Sequence, residues 1–271
     1  MPVFLSIIIP AYNEQVRIER TLDDVLAFIS RQNFVSEVLV IDDGSNDDTG
    51  RIVSSRIGQY LENGFQLRLL INDPNRGKGY SVKRGFGAAR GEVALFTDTD
   101  LSSPITEAAK LIDPIASNQA DVVFGSRAIH RELIGVRQSL TRDFGGRIFN
   151  LLMRAITGLQ YKDTQCGFKA FRRIPSIPVF HLNRIERFGF DPELLFIAKK
   201  RGLRLLETPV IWNHCEGSKV NYFIDSIKMF TDLLRIRINN LAGRYDLDHA
   251  VEAPAEAHQA EERRAETTVG S

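Results

Sequence analysis

Residues 95–104 read LFTDTDLSSP and place two carboxylates, Asp98 and Asp100, one residue apart at the end of an apolar run. Residues i and i+2 of a strand share a face. If the extended geometry persists to the end of the run, the two acids point the same way, and they repel unless a positive charge relieves them. A hard divalent cation would do so. Mg2+ is commonly held by one or two carboxylates together with substrate phosphates, and Mn2+ favours similar ligands. The spacing therefore points to a metal site whose ligand set is completed by a diphosphate. The plainer alternative is a solvent-exposed acidic turn.

Three further polar clusters also follow apolar runs: Pro10-Ala11-Tyr12-Asn13-Glu14, Asp42-Asp43-Gly44-Ser45, and Asn72 with Asn75-Arg76-Gly77-Lys78-Gly79. Asp42 or Asp43, directly behind Val38-Leu39-Val40-Ile41, is of the type that accepts hydrogen bonds from a nucleobase or ribose. Ser45 with Asp48 also suits a helix N-terminus. Taken singly, each cluster reads equally well as turn and cap chemistry.

The elements that must position these residues are legible from periodicity. Apolar runs at 5–10, 37–45, 65–73, 92–100 and 121–126 alternate with helical spacing at roughly 14–31, 47–62, 77–90 and 104–118. Such alternation predicts βαβ units and a mostly parallel sheet. The runs are continuously apolar, as when helices cover both faces. Ligands of open α/β sheets bind outside the carboxyl ends of the strands, and all four polar clusters fall at that edge. Beyond 127 the pattern changes. A helix is expected over 139–157, a polar, glycine-containing segment over 158–169, a helix near 192–201, short strands around 204–211 and an amphipathic stretch over 221–240.

The 271 residues carry a net charge of +1, unevenly spread. Residues 246–271 carry −5 and few large apolar groups, predicting an acidic disordered tail. Residues 1–245 therefore carry +6, which suits an anionic substrate or membrane surface and is too weak to imply nucleic acid. Cys166 and Cys215 form neither a metal-ligand spacing nor a disulfide framework, so a reducing compartment is the simpler expectation. Cys166 reads as a small packed residue rather than a nucleophile. Met1-Pro2 leads straight into a strand-like run, so no signal peptide is expected. No apolar window approaches the ~18 residues of a membrane span.

In order and spacing, SIIIPAYNE (6–14), VIDDGSNDDT (40–49), NRGKG (75–79) and TDTD (97–100) resemble inverting GT-A glycosyltransferases of family 2. DTQCGFKAF (163–171), FGFDPELL (188–195) and EGSKV (216–220) are similar to the dolichyl-phosphate glucosyltransferases and related polyprenyl-phosphate sugar synthases. The resemblance covers about 5–240. It implies a GT-A fold, a Rossmann-like three-layer α/β sandwich with a mostly parallel mixed sheet, over 1–245. It also implies a metal-dependent inverting hexosyltransferase that uses Mg2+ or Mn2+ to move a hexose, glucose from UDP-glucose first of all, onto a polyprenyl phosphate. The alternative is a family 2 enzyme acting on a hydroxyl of a sugar, small metabolite or protein.

Carried over residue by residue, the resemblance places Pro10, Tyr12, Glu14, Asp42, Asp43, Lys78, Asp98, Thr99 and Asp100 around the nucleotide-sugar, with Asp98 and Asp100 on the metal. Arg127 and Lys219 would meet phosphate, and Asp191 would stand near the sugar. Gln165, Ser218 and Arg142 would lie toward the acceptor. The planar fork of Arg and the point charge of Lys both suit phosphate. The sequence departs from its relatives in two ways. It lacks the Gln-x-x-Arg-Trp motif and membrane helices of polymer synthases, which disfavours processive synthesis. With a strand-like run beginning at about residue 3, the leading anchor helix usual in the eukaryotic glucosyltransferases is also not expected. The expectation is a cytoplasmic enzyme with peripheral contact to the cytoplasmic membrane face through 221–241, where Phe223, Ile227, Phe230, Leu234 and Ile238 recur among Lys228, Arg235 and Arg237. Packing of that helix on the domain core is the competing reading.

Overall fold

A computed structural model describes residues 2–129, 153–187, 189–213 and 222–246. Seven strands form one sheet: β1 (Leu5–Ala11), β2 (Ser36–Asp42), β3 (Gln66–Ile71), β4 (Val93–Phe96), β5 (Val122–Ser126), β6 (Lys169–Arg172) and β7 (Leu205–Pro209). Their order is β3-β2-β1-β4-β6-β5-β7. All neighbours run parallel except at β6, which is antiparallel to both β4 and β5. Helices lying wholly among the described residues are α1 (Ile18–Ile29), α2 (Thr49–Glu62), α3 (Lys78–Ala88), α4 (Ala109–Ala116, after a 3-10 turn at Ile105–Ala108), α5 (Arg173–Leu182), α6 (Phe190–Lys200) and α7 (Tyr222–Leu241).

Alternate strand residues feed two cores. Ile7, Ile9, Val38 and Val40 join Leu22 and Val25 of α1 and Leu111 of α4 on one face. Ile8, Leu39 and Ile41 join Val82 of α3, Phe180 of α5, Leu194 of α6 and Leu233 of α7 on the other. Both faces are covered, which is why the strands read as unbroken apolar runs. Gly85 lets α3 lie directly on the sheet: a β-carbon there would stand 2.5 Å from Ile8 Cγ2 and 2.7 Å from Ile41 Cδ1.

The parallel half agrees with the periodicity. The segment 169–182, which holds β6 and α5, carries no such signal. β6 is four residues long and begins and ends on a cation, Lys169 and Arg172. α5 contains Pro178 and opens with Pro175 in its first turn, where a missing N–H costs little. Of the helix expected over 139–157, residues 153–157 are described and helical; the rest lie outside the described residues.

Glu193 of α6, wholly buried, ties the second half together. Its Oε2 accepts Asn183 Nδ2 (2.5 Å), Arg184 N (3.0 Å) and Ile185 N (2.8 Å), and its Oε1 accepts the Tyr245 hydroxyl (2.5 Å). Asp246 still pairs with Lys200 at 2.8 Å; the remaining tail, 247–271, lies outside the described residues.

Candidate functional site

The loops at the carboxyl ends of β1, β2 and β3 interlock. Asp43 N donates to Ala11 O and Asn72 N to Asp42 O, both at 2.8 Å. Asn13 N reaches Ser45 Oγ (2.9 Å) and Glu14 N reaches Thr49 Oγ1 (2.8 Å). Asp42 Oδ1 accepts Ser45 N at 2.9 Å, closing its own turn. Asp43, also buried, organises the next loop. Its Oδ1 accepts Asn72 Nδ2 (2.8 Å) and Arg76 N (3.0 Å), and its Oδ2 accepts Gly77 N (2.7 Å). Gly77 adopts φ +100°, and a β-carbon there would stand 2.7 Å from Glu186 O, so only glycine fits. Arg76 in turn pairs with Glu186 at 2.7 Å. The result of these contacts is to fix Lys78 as the first residue of α3.

β4 ends at Phe96, two residues before Asp98, so extended geometry does not run through the two acids. The chain turns instead, and Leu101 takes φ +44°. Thr99 is buried; its hydroxyl donates to Pro10 O at 2.8 Å and its carbonyl accepts from Thr21 Oγ1 at 2.5 Å. Asp100 Oδ1 accepts Ser102 N at 2.9 Å. Asp98 forms an ion pair with the Lys78 ammonium and packs on Gly167. The positive charge beside this acid is thus a lysine of the protein.

Behind them lies a row of alternating charge. Lys169 is completely buried, and its ammonium donates to Asp191 Oδ1 and to Cys166 O (2.5 Å). Asp191 sits in the first turn of α6, where an acid complements the helix dipole. Burial pushes the Asp191 carboxyl pKa up, against the opposing pull of Lys169 and Lys78. Burial alone would lower the Lys78 pKa, but Asp98, Asp191 and Asp100 together raise it. At the end of β5, Arg127 Nε and Nη2 grip Asp163 Oδ2 (2.6 Å) and Oδ1 (2.9 Å), and Arg127 N donates to Oδ2 at 3.1 Å. Asp163 is buried, which alone would raise its pKa, yet Arg127 and then Lys169 hold it below the usual range. Its segment is fixed to β7 by Lys162 N (2.9 Å) and Asp163 N (2.7 Å) donating to the Glu207 carboxylate.

Those sequence-derived residues that are described therefore converge at one sheet edge, with unequal duties. Lys78, Asp98, Asp100 and Asp191 share a field, and Arg127 stands beside it, with Asp98 among the charges that raise its pKa. Pro10, Asp42, Asp43 and Thr99 make the internal bonds that shape the loops. Tyr12 is exposed, and Glu14 pairs with Arg17 at 3.3 Å. Gln165 reaches toward α7, its Nε2 lying 3.9 Å from Met229 Sδ. Lys219, Ser218 and Arg142 lie outside the described residues. Cys166 is buried, and burial raises its thiol pKa to about 11, as suits a packed residue. Lys169 and Asp163 were not singled out as site residues. The signal for Lys169 was a lysine inside the apolar run FKAF, since a buried charge requires a partner.

Among the described residues no three His, Cys, Asp or Glu side chains gather into a metal cage. The donor set nonetheless fits a hard cation that takes carboxylate oxygens from Asp98 and Asp100 and completes its shell with phosphate and water. No helix among the described residues is long and apolar enough to cross a membrane.

Comparison with known proteins agrees with this layout. The family model Glycosyl transferase family 2 matches residues 6–179. The dolichyl-phosphate beta-glucosyltransferase of Dictyostelium discoideum is 36% identical over 251 residues, 89% of this chain and 76% of that one. The Homo sapiens protein of the same name is 33% identical over 255 residues, 90% of this chain and 78% of that one. Among solved structures, glucosyl-3-phosphoglycerate synthase from Mycobacterium tuberculosis in complex with Mn2+, UDP-glucose and phosphoglyceric acid superposes with a TM-score of 0.61 at 18% identity, over 87% of this chain and 80% of that one. That likeness identifies the GT-A fold. With its family model spanning the strand-edge motifs and its relatives matching beyond them, the chain belongs to glycosyl transferase family 2.

Proposed function

We propose that the protein transfers glucose from UDP-glucose to a polyprenyl phosphate, with inversion at the anomeric carbon. The observation that carries this reading is the clustering of Lys78, Asp98, Asp100 and Asp191 at the strand edge, with Arg127 alongside. The names of the relatives support the acceptor class, and the M. tuberculosis complex supports a UDP-glucose donor. The donor's diphosphate would lie over Asp98 and Asp100, its nucleoside over the loops that Asp42 and Asp43 shape. Bound there, Mg2+ or Mn2+ would offset the charge that develops on the departing diphosphate.

The acceptor chemistry limits what the chain must supply. A phosphate monoester, with a second pKa of about 6, is already largely ionised near neutral pH. It attacks without surrendering a proton, so no obligatory base is required. Arg127, held rigid by Asp163, and Lys219 would align the acceptor phosphate. Asp191, held by Lys169, would accept a hydrogen bond from a sugar hydroxyl.

An acceptor carried on a lipid calls for contact with a bilayer surface. α7 exposes Phe230, Leu234, Ile238 and Leu241 along one line and buries Leu233 and Ile236 on the opposite side. Lys228, Arg235 and Arg237 lie on the same helix. A basic amphipathic helix of this kind suits an anionic membrane surface.

The test is to incubate the protein with labelled UDP-glucose, a short polyprenyl phosphate and Mg2+, then extract with organic solvent. Labelled glucolipid is the expected product, and it is lost on chelation. Label appearing only in water-soluble products would favour the hydroxyl-acceptor alternative.

A further inference from the structure

We propose that Lys78 is the resident counter-charge of the Asp98/Asp100 pair and makes divalent-cation binding conditional on the nucleoside diphosphate. The inference rests on reading these two acids as cation ligands. Its ground is how firmly the lysine is placed. Asp43 grips the two amides that precede it, from Arg76 and Gly77. Gly77 holds a backbone conformation that only glycine tolerates, closed in by Glu186 O. Lys78 then opens α3, an end of the helix where the dipole disfavours a cation. The acids facing it account for a lysine there: its ammonium pairs with Asp98 and feels Asp191 and Asp100.

A cation arriving alone must displace an ammonium already paired with Asp98, and the two positive charges repel at contact distance. A diphosphate offers the ammonium new oxygen acceptors. Once the ammonium turns to the phosphate, Asp98 is released to the cation. Each ligand thus removes an obstacle to the other, which is positive coupling, and coupling is reciprocal. The lysine neutralises Asp98 until a diphosphate draws it away and gives a lone cation little hold.

The experiment follows free Mn2+ by electron paramagnetic resonance during titration of the full-length protein, with and without UDP. Wild type should bind Mn2+ weakly alone and about tenfold or more tightly with UDP, within the usual range of coupling between sites. Lys78→Met should bind Mn2+ alone more tightly than wild type and show a UDP enhancement reduced to the part that direct phosphate coordination supplies, several-fold below that of wild type. Lys78→Gln, which keeps a polar side chain at the helix start, should behave like Lys78→Met. Lys78→Arg, which keeps the charge, should retain the coupling. If Lys78→Met and Lys78→Gln bind Mn2+ alone no better than wild type, the proposal is overturned. If no form of the protein binds Mn2+ even with UDP, the cation reading of Asp98 and Asp100 fails first and takes the proposal with it.

Discussion

Gly167 and Asp98 pack so closely that a β-carbon on Gly167 would stand 2.2 Å from Oδ2 of Asp98. The obstacle is the end of a side chain, which can swing aside without moving the backbone. Gly167→Ala should therefore leave the melting temperature nearly unchanged while turning the Asp98 carboxylate out of place. Displacements of this size at a reacting centre cost on the order of 10²-fold, so kcat/KM should fall by about that factor. Wild-type kinetics in a folded Gly167→Ala protein would show that the position of Asp98 is unimportant.

The enclosed pair of Lys169 and Asp191 makes a different prediction. Removing one partner strands the other charge in the core, at about 3–5 kcal/mol. Lys169→Met should lower stability in urea denaturation by that order, and Lys169→Met with Asp191→Leu should recover part of it. At a temperature where all variants are folded, Asp191→Asn should retain more transferase activity than Asp100→Asn. Equal and total loss in both would argue against the separate duties assigned to these acids.

Asp43→Ala removes the acceptor of three donors, two of them backbone amides at the approach to Lys78. An unsatisfied buried donor costs about 1–3 kcal/mol, so a loss of at least about 2 kcal/mol is expected together with weaker UDP binding by calorimetry. A variant that loses stability but binds UDP normally would confine Asp43 to a folding role.

The acid limb of stability should carry the mark of Asp121, whose pKa falls from 3.8 to about 2 chiefly through its hydrogen bonds with Arg204. A carboxylate with a depressed folded-state pKa stabilises fully above its unfolded value, and the contribution is lost as pH falls through the folded value. The stability difference between wild type and Asp121→Asn should therefore be constant above about pH 5 and shrink steadily toward pH 2. Urea titrations across that range would measure it, and a difference that grows on acidification would contradict the assignment.

How far the sequence could be read depended on whether a residue's role was local. The strand-ending motifs at Pro10, Asp42 and Asp98 stood out because each follows its own apolar run. Lys169 and Asp163 do not announce themselves that way. Their partners, Asp191 and Arg127, are 22 and 36 residues distant, so no local pattern records the pairing. β6 escaped for a related reason: a four-residue strand between two established neighbours takes its stability from them rather than from its own alternation. Asp43 was placed at the nucleotide by motif, yet its bonds make it the organiser of the loop that carries Lys78. A motif gives the position of an acid but not the direction in which its oxygens point.

Glu193 adds a constraint of time. Three of its four donors arrive close together, from Asn183, Arg184 and Ile185, but the fourth belongs to Tyr245, 52 residues after Glu193 itself. During synthesis this carboxylate cannot be fully satisfied in the core until almost the whole described chain has emerged. The core on that face of the sheet, which supports the helix bearing Asp191, is thus completed only after β1 to β4 exist, so the half that would hold the donor can be in place before the half that would orient the sugar.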